Sequence, residues 1–105
     1  MSYELLVGLQ VVEPELYVKY RQAMMPLLVK YGGGFRYDFW VQETLKSATV
    51  NEMNRVFVIY FKNKETMRLF FNNAEYLQIK NEYYINAVSA TTILSEYEND
   101  SDIGL

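Results

Sequence analysis

The chain of 105 residues has neither cysteine nor histidine. Without cysteine it offers no disulfide, no thiolate nucleophile, no iron–sulfur cluster and no thiolate zinc site. Without histidine it lacks the commonest general base, the usual haem axial ligand and the commonest zinc ligand. The carboxylates are scattered, apart from Asp100 and Asp102 near the C-terminus, so neither a metal nor any other cofactor is expected. Positive charge is scarce as well: ten Lys and Arg stand against thirteen Asp and Glu, a net charge of -3. That balance opposes non-specific nucleic-acid binding, which depends on cations neutralising phosphates. A long apolar run is also missing. The start, Met1-Ser2-Tyr3-Glu4, is acidic, the apolar run after it is short and no cleavage motif follows, so neither a signal peptide nor a membrane span is supported and a cytoplasmic location is the expectation.

What the chain does have is apolar and aromatic mass: half of its residues are hydrophobic, and its rings are ten Tyr, six Phe and one Trp. Tyr suits surfaces with an apolar body and one polar tip, which points to a partner or a pocket. The length supports one core, so we expect a single domain over residues 1–98 and an acidic, disordered tail over residues 99–105. Residues 5–12 read as a strand with apolar residues on both faces. Pro14 then opens a helix whose stripe is Leu16, Tyr20, Ala23, Leu27 and Tyr31, widened by Tyr17, Met24 and Leu28. Pro26 predicts a kink or break, and Gly32-Gly33-Gly34 predicts the stop. A second strand over residues 35–44, an exposed connection over residues 45–54 and a third strand from Arg55 follow. Asn63 caps a helix with Met67, Phe70 and Phe71 inward, and Asn72-Asn73 interrupts it before a helical stretch carrying Tyr76, Ile79 and Tyr83. Residues 90–97 form the last strand. The order is strand, helix, strand, strand, helix, strand, an α+β domain.

Alternation in the second strand places Phe35, Tyr37, Phe39 and Val41 on a core face and Arg36, Asp38, Trp40 and Gln42 on a mixed face that meets a subunit, a ligand or water. The residues singled out for ligand binding or an interface are Arg36, Tyr37, Asp38, Trp40 and Tyr60; no catalytic residue is assigned. Tyr20, Tyr37 and Tyr60 are weak acids only if strongly perturbed, since a free phenol ionises near about pH 10. An aromatic strand with an ion pair between Arg36 and Asp38 serves a subunit contact equally well. The three glycines follow a helix and lack the Lys and Ser/Thr of a phosphate loop. RNA-recognition domains share this order of elements, yet the motif glycines of the third strand, the aromatic of the first and a basic charge are all missing.

Pro26 to Phe35, as Pro-Leu-Leu-Val-Lys-Tyr-Gly-Gly-Gly-Phe, and the strand ending in Phe61 with the following helix and Asn73-Ala74-Glu75-Tyr76 resemble the family catalogued as domain of unknown function 1330. The resemblance covers roughly residues 3–97. It implies a ferredoxin-like βαββαβ subunit, an antiparallel sheet with two helices on one face, in the dimeric α+β barrel superfamily, where two sheets pack face to face. It implies no activity. The expectation is a homodimer that binds a small molecule without a cofactor or has a structural role, with no nucleic-acid or membrane partner. The alternative is a cofactor-independent monooxygenase or isomerase, by analogy of fold alone.

Overall fold

Four strands and a helical layer account for about three quarters of residues 1–100, the part of the chain that the computed structural model describes. The strands are β1 (Ser2–Val11), β2 (Gly34–Trp40), β3 (Arg55–Phe61) and β4 (Val88–Asn99). The helices are α1 (Pro14–Lys30), α2 (Lys64–Phe71) and α3 (Ala74–Ile79), which continues through a π-helical turn (Lys80–Tyr84) into α4 (Ile85–Ala87). The sheet is antiparallel in the order β2-β3-β1-β4. Each βαβ unit therefore leaves a gap that a strand of the other unit fills, the interleaved ferredoxin-like arrangement. The tail expected over residues 99–105 begins inside β4, since Asn99 is its last residue; residues 101–105 lie outside the described part.

The core is one layer thick. Tyr3, Leu5, Val7, Leu9 and Val11 of β1 and Phe57, Ile59 and Phe61 of β3 point to the helices, where Tyr17, Tyr20, Met24, Leu27, Leu28, Phe70 and Tyr76 meet them. Alternate residues of both strands point the opposite way, to a sheet face that no helix covers. α1 runs unbroken through Pro26. Pro26 and Gln22, whose carbonyl loses its helical partner, are both exposed, so water satisfies that oxygen and the helix tolerates the ring. Gly32, with φ of 76°, ends the helix in the left-handed conformation that glycine adopts cheaply.

Asn63 caps α2 by accepting from the Thr66 N–H, and Asn73 caps α3 by accepting from the N–H groups of Glu75 and Tyr76. The Asn73 amide also donates to the Tyr31 hydroxyl at 2.8 Å, tying the end of α1 to the start of α3. Replacing Asn73 by Ala removes both roles, and we expect a loss of about 1–2 kcal/mol in urea unfolding. A loss within about 0.5 kcal/mol, the range of an ordinary surface change, would show that the junction is held elsewhere.

β2 departs from the alternation expected of it. A bulge inserts Arg36, so that Phe35 faces Ile59 but Tyr37 faces Val58, its next neighbour. One extra residue flips every later side chain to the other face. Phe35 stays on the helix side, while Tyr37 and Phe39, read from alternation as core, lie on the uncovered face at 59% and 55% exposure. Asp38 and Trp40 turn toward the helices. The strand also stops at Trp40, four residues short of the expected end, and residues 41–54 form the long connection to β3.

Candidate functional site

A cavity of about 200 Å³ lies between the sheet and the helical layer. Its floor is Leu5, Val7, Phe57, Ile59 and Ile93, and its walls are Tyr17, Tyr20, Arg21 and Met24 of α1 with Tyr76, Lys80 and Tyr84 from the opposite side. The spacing of Tyr17, Tyr20 and Arg21 places all three on one side of α1. The π-helical turn spans Lys80 to Tyr84 and brings both ends to the cavity; such turns recur at functional sites because they redirect side chains that a regular helix would send elsewhere.

The polar tips in this cavity are phenols and cations. The Tyr20 and Tyr76 hydroxyls are 2.9 Å apart, and the Tyr84 hydroxyl is 2.6 Å from Thr91 Oγ1. The Arg21 Nε donates to the Tyr17 hydroxyl at 2.8 Å. Burial pushes the Tyr20 phenol well above its ordinary value, reinforced by the neighbouring Tyr76 oxygen. Burial likewise raises Tyr76, and Tyr84 is pushed up to about 12. For Tyr17, burial outweighs the opposing pull of Arg21. All four phenols are protonated at neutral pH and are donors there.

Asp38 braces this wall from outside. Its carboxylate takes two hydrogen bonds from Arg21, at 3.0 and 3.2 Å, and two from Arg55, both at 2.8 Å. Burial alone would raise its pKa, but the two guanidinium groups outweigh burial and hold it below the usual carboxylate range. The Arg21 guanidinium lies 3.8 Å from the centre of the Phe35 ring, and that of Arg55 lies 4.2 Å from the centre of the Trp40 indole.

The uncovered sheet face is different in kind. Leu6, Tyr37, Phe39, Val56 and Val58 line a shallow apolar depression, with the Tyr37 and Phe39 rings stacked. Beside it Glu4 is 1% exposed. Its carboxylate accepts from the Ser2 hydroxyl at 2.8 Å, the Tyr97 hydroxyl at 3.0 Å, the Asn99 amide at 3.2 Å and the Arg36 Nε. The Arg36 guanidinium sits 4.3 Å from the centre of the Tyr60 ring. Burial pushes the Glu4 carboxyl up, and its four donors together more than reverse that, leaving it below its ordinary value.

The five residues singled out in sequence thus divide between two sites. Arg36, Tyr37 and Tyr60 belong to the uncovered face; Asp38 and Trp40 belong to the outer wall of the cavity. The ion pair expected between Arg36 and Asp38 is absent: Arg36 pairs with Glu4, and Asp38 pairs with Arg21 and Arg55. The bulge is the reason. Arg21, Tyr84, Lys80 and Glu4 went unnoticed as site residues. The one sequence signal for the cavity was Tyr17, Tyr20 and Arg21 on one helical side, because no pattern in the sequence marks a π turn.

Among the described residues no three carboxylates are placed to hold a metal ion, and no helix is long and apolar enough to cross a membrane. Solved structures share the fold. A protein of unknown function from Rhodopseudomonas palustris superposes with a TM-score of 0.79 at 12% identity, covering 95% of this chain and 83% of that one. A dimeric protein of unknown function and ferredoxin-like fold from Bacteroides fragilis gives 0.60 at 11%, covering 93% and 96%. A Nitrosomonas europaea protein provisionally described as an antibiotic biosynthesis monooxygenase gives 0.60 at 13%, covering 96% and 92%. At these identities the likeness is one of fold. No curated protein matches the chain. The family model described as Domain of unknown function (DUF1330) matches residues 3–97, and the chain belongs to that family.

Proposed function

We propose that the protein is a homodimer whose subunits meet through their uncovered sheet faces, and that each subunit holds a small molecule, without a cofactor, in the cavity under α1. The observation that carries the binding reading is the cavity itself. A volume of about 200 Å³ exceeds the roughly 150 Å³ that accommodates benzene in an apolar protein core, so one ring with a substituent fits. Apolar walls with a few converging polar groups are the ordinary make-up of a ligand site. The dimer reading is supported by the exposed Tyr37 and Phe39 rings on a face that the chain's own helices leave bare, and by the dimeric Bacteroides fragilis protein of the same fold.

Binding is favoured over catalysis because no carboxylate lines the cavity and its phenols are held protonated, which leaves no evident group to take a proton from a substrate. Thermal unfolding in the presence of one-ring aromatic acids, lactones and quinones tests the reading. We expect at least one class to raise the melting temperature in a concentration-dependent manner, as a ligand of the native state must. Turnover of any such compound by the purified protein would move the reading to the oxygenase or isomerase alternative.

A further inference from the structure

Resting on the reading of the cavity as a ligand site, we infer that its ligand is a planar one-ring anion, a phenolate, an enolate or an aromatic carboxylate, bound already ionised. The inference comes from counting donors against acceptors. Tyr17, Tyr20, Tyr76, Tyr84 and Thr91 bring five hydroxyl protons to the lining. Two are used between hydroxyls, one in the Tyr20–Tyr76 pair and one in the Tyr84–Thr91 pair. The Tyr17 oxygen receives its hydrogen bond from Arg21, so its own proton is still to be placed. Three hydroxyl protons therefore have no acceptor among the described residues: those of Tyr17 and of the Tyr20–Tyr76 pair are buried, while that of the Tyr84–Thr91 pair is open to water.

A buried donor without an acceptor is costly, and a ligand oxygen carrying negative charge is the partner that satisfies it best. Charge points the same way. Arg21 and Lys80 are the charged residues of the lining, both cationic. Behind the wall, Arg21 and Arg55 share the single carboxylate of Asp38, leaving an excess positive charge there. A cationic ligand would face this field with no carboxylate to meet it, and a neutral hydrocarbon would leave the donors unpaired. The aromatic walls and the volume fix the rest: a flat body of about one ring.

The chromophore 4-nitrophenol tests this, because it ionises near neutral pH, only its phenolate absorbs strongly in the visible, and the cavity phenols remain protonated throughout that range. Titrated into the intact protein, it should bind, and the bound probe should ionise about one pH unit or more below the free probe, a tenfold or greater preference for the phenolate. The neutral analogue 4-nitrotoluene should bind at least tenfold more weakly. Lys80→Met removes an exposed cation and Tyr84→Phe removes a hydroxyl but keeps its ring; each should diminish the downward shift. Binding of either compound with an unchanged or raised ionisation of the probe would overturn the anion inference and leave the cavity reading standing. A shift unaltered in both variants would place the anion elsewhere and overturn the inference as well. Failure of both compounds to bind would overturn the cavity reading together with it.

Discussion

Replacing Glu4 by Ala should lower the unfolding free energy by about 3 kcal/mol, measured by urea denaturation at one fixed protein concentration. Removing one member of a buried, hydrogen-bonded ion pair leaves the charge of the other uncompensated, and such losses run to about 3–5 kcal/mol. The side chain of Arg36 is about a third exposed and recovers some hydration, which sets the expected value at the lower end. Ser2, Tyr97 and Asn99 also lose the oxygen they donate to. The same carboxylate makes stability depend on acid. Its folded value lies below its unfolded one, so as pH falls the unfolded chain takes up the proton first. Its stabilisation is complete above the ordinary carboxylate range and is lost as pH drops below about 5 and on through the folded value. Glu4→Gln should remove that part of the acid sensitivity, while Asp38, lowered in the same direction, retains its own. A loss under about 1 kcal/mol for Glu4→Ala would reduce the network to an ordinary surface pairing.

How much of this was legible depends on which local rule the chain obeys. The elements themselves were readable because each is signalled by residues acting on their own backbone: Pro14 at a helix start, Asn63 as a cap, Asn72-Asn73 as an interruption and the glycines from Gly32 at a helix end. Those signals need no knowledge of the rest of the molecule. The face assignment of β2 failed because it needs the register against β3, and a one-residue bulge at Arg36 lies in the pairing and not in any residue type. Everything after the bulge was then read inside out, including Tyr37 and Phe39. The cavity was half legible. Tyr17, Tyr20 and Met24 stood out as an inward stripe of α1, and the opposite stripe of Tyr76, Ile79 and Tyr83 does pack inward, Tyr76 lining the cavity; what escaped notice is that the π turn also brings Lys80 and Tyr84 to the lining. Glu4 escaped notice because a single acid in an apolar strand is identified as buried only when Arg36, Tyr97 and Asn99, distant in sequence, are seen to converge on it.

Phe39→Glu should convert the proposed dimer to monomer, with the dissociation constant rising at least about a thousandfold, or about 4 kcal/mol, by sedimentation or light scattering across a dilution series. Two effects add. The ring that stacks on Tyr37 is lost from the apolar patch of the uncovered face, and aromatic anchors in such patches carry most of an interface's binding energy. In a face-to-face pairing each subunit would also bury the new carboxylate, with no cation on the apolar patch to meet it. The subunit itself should keep its far-ultraviolet circular dichroism, because Phe39 is 55% exposed in the protomer and its side chain is no part of the helix-facing core. Trp40→Ala is the matched control from the next residue of the same strand. Trp40 is equally exposed, at 54%, but it lies on the helix side beneath Arg55. Its loss should remove a cation–π contact of about 0.5–1 kcal/mol and leave assembly unchanged. The opposite pattern, with Trp40→Ala dissociating the protein and Phe39→Glu remaining dimeric, would place the subunit contact on the helical side. A monomer in the unsubstituted protein at tens of micromolar would remove the face-to-face dimer altogether, since the Tyr37 and Phe39 rings would then stand in water with nothing to cover them.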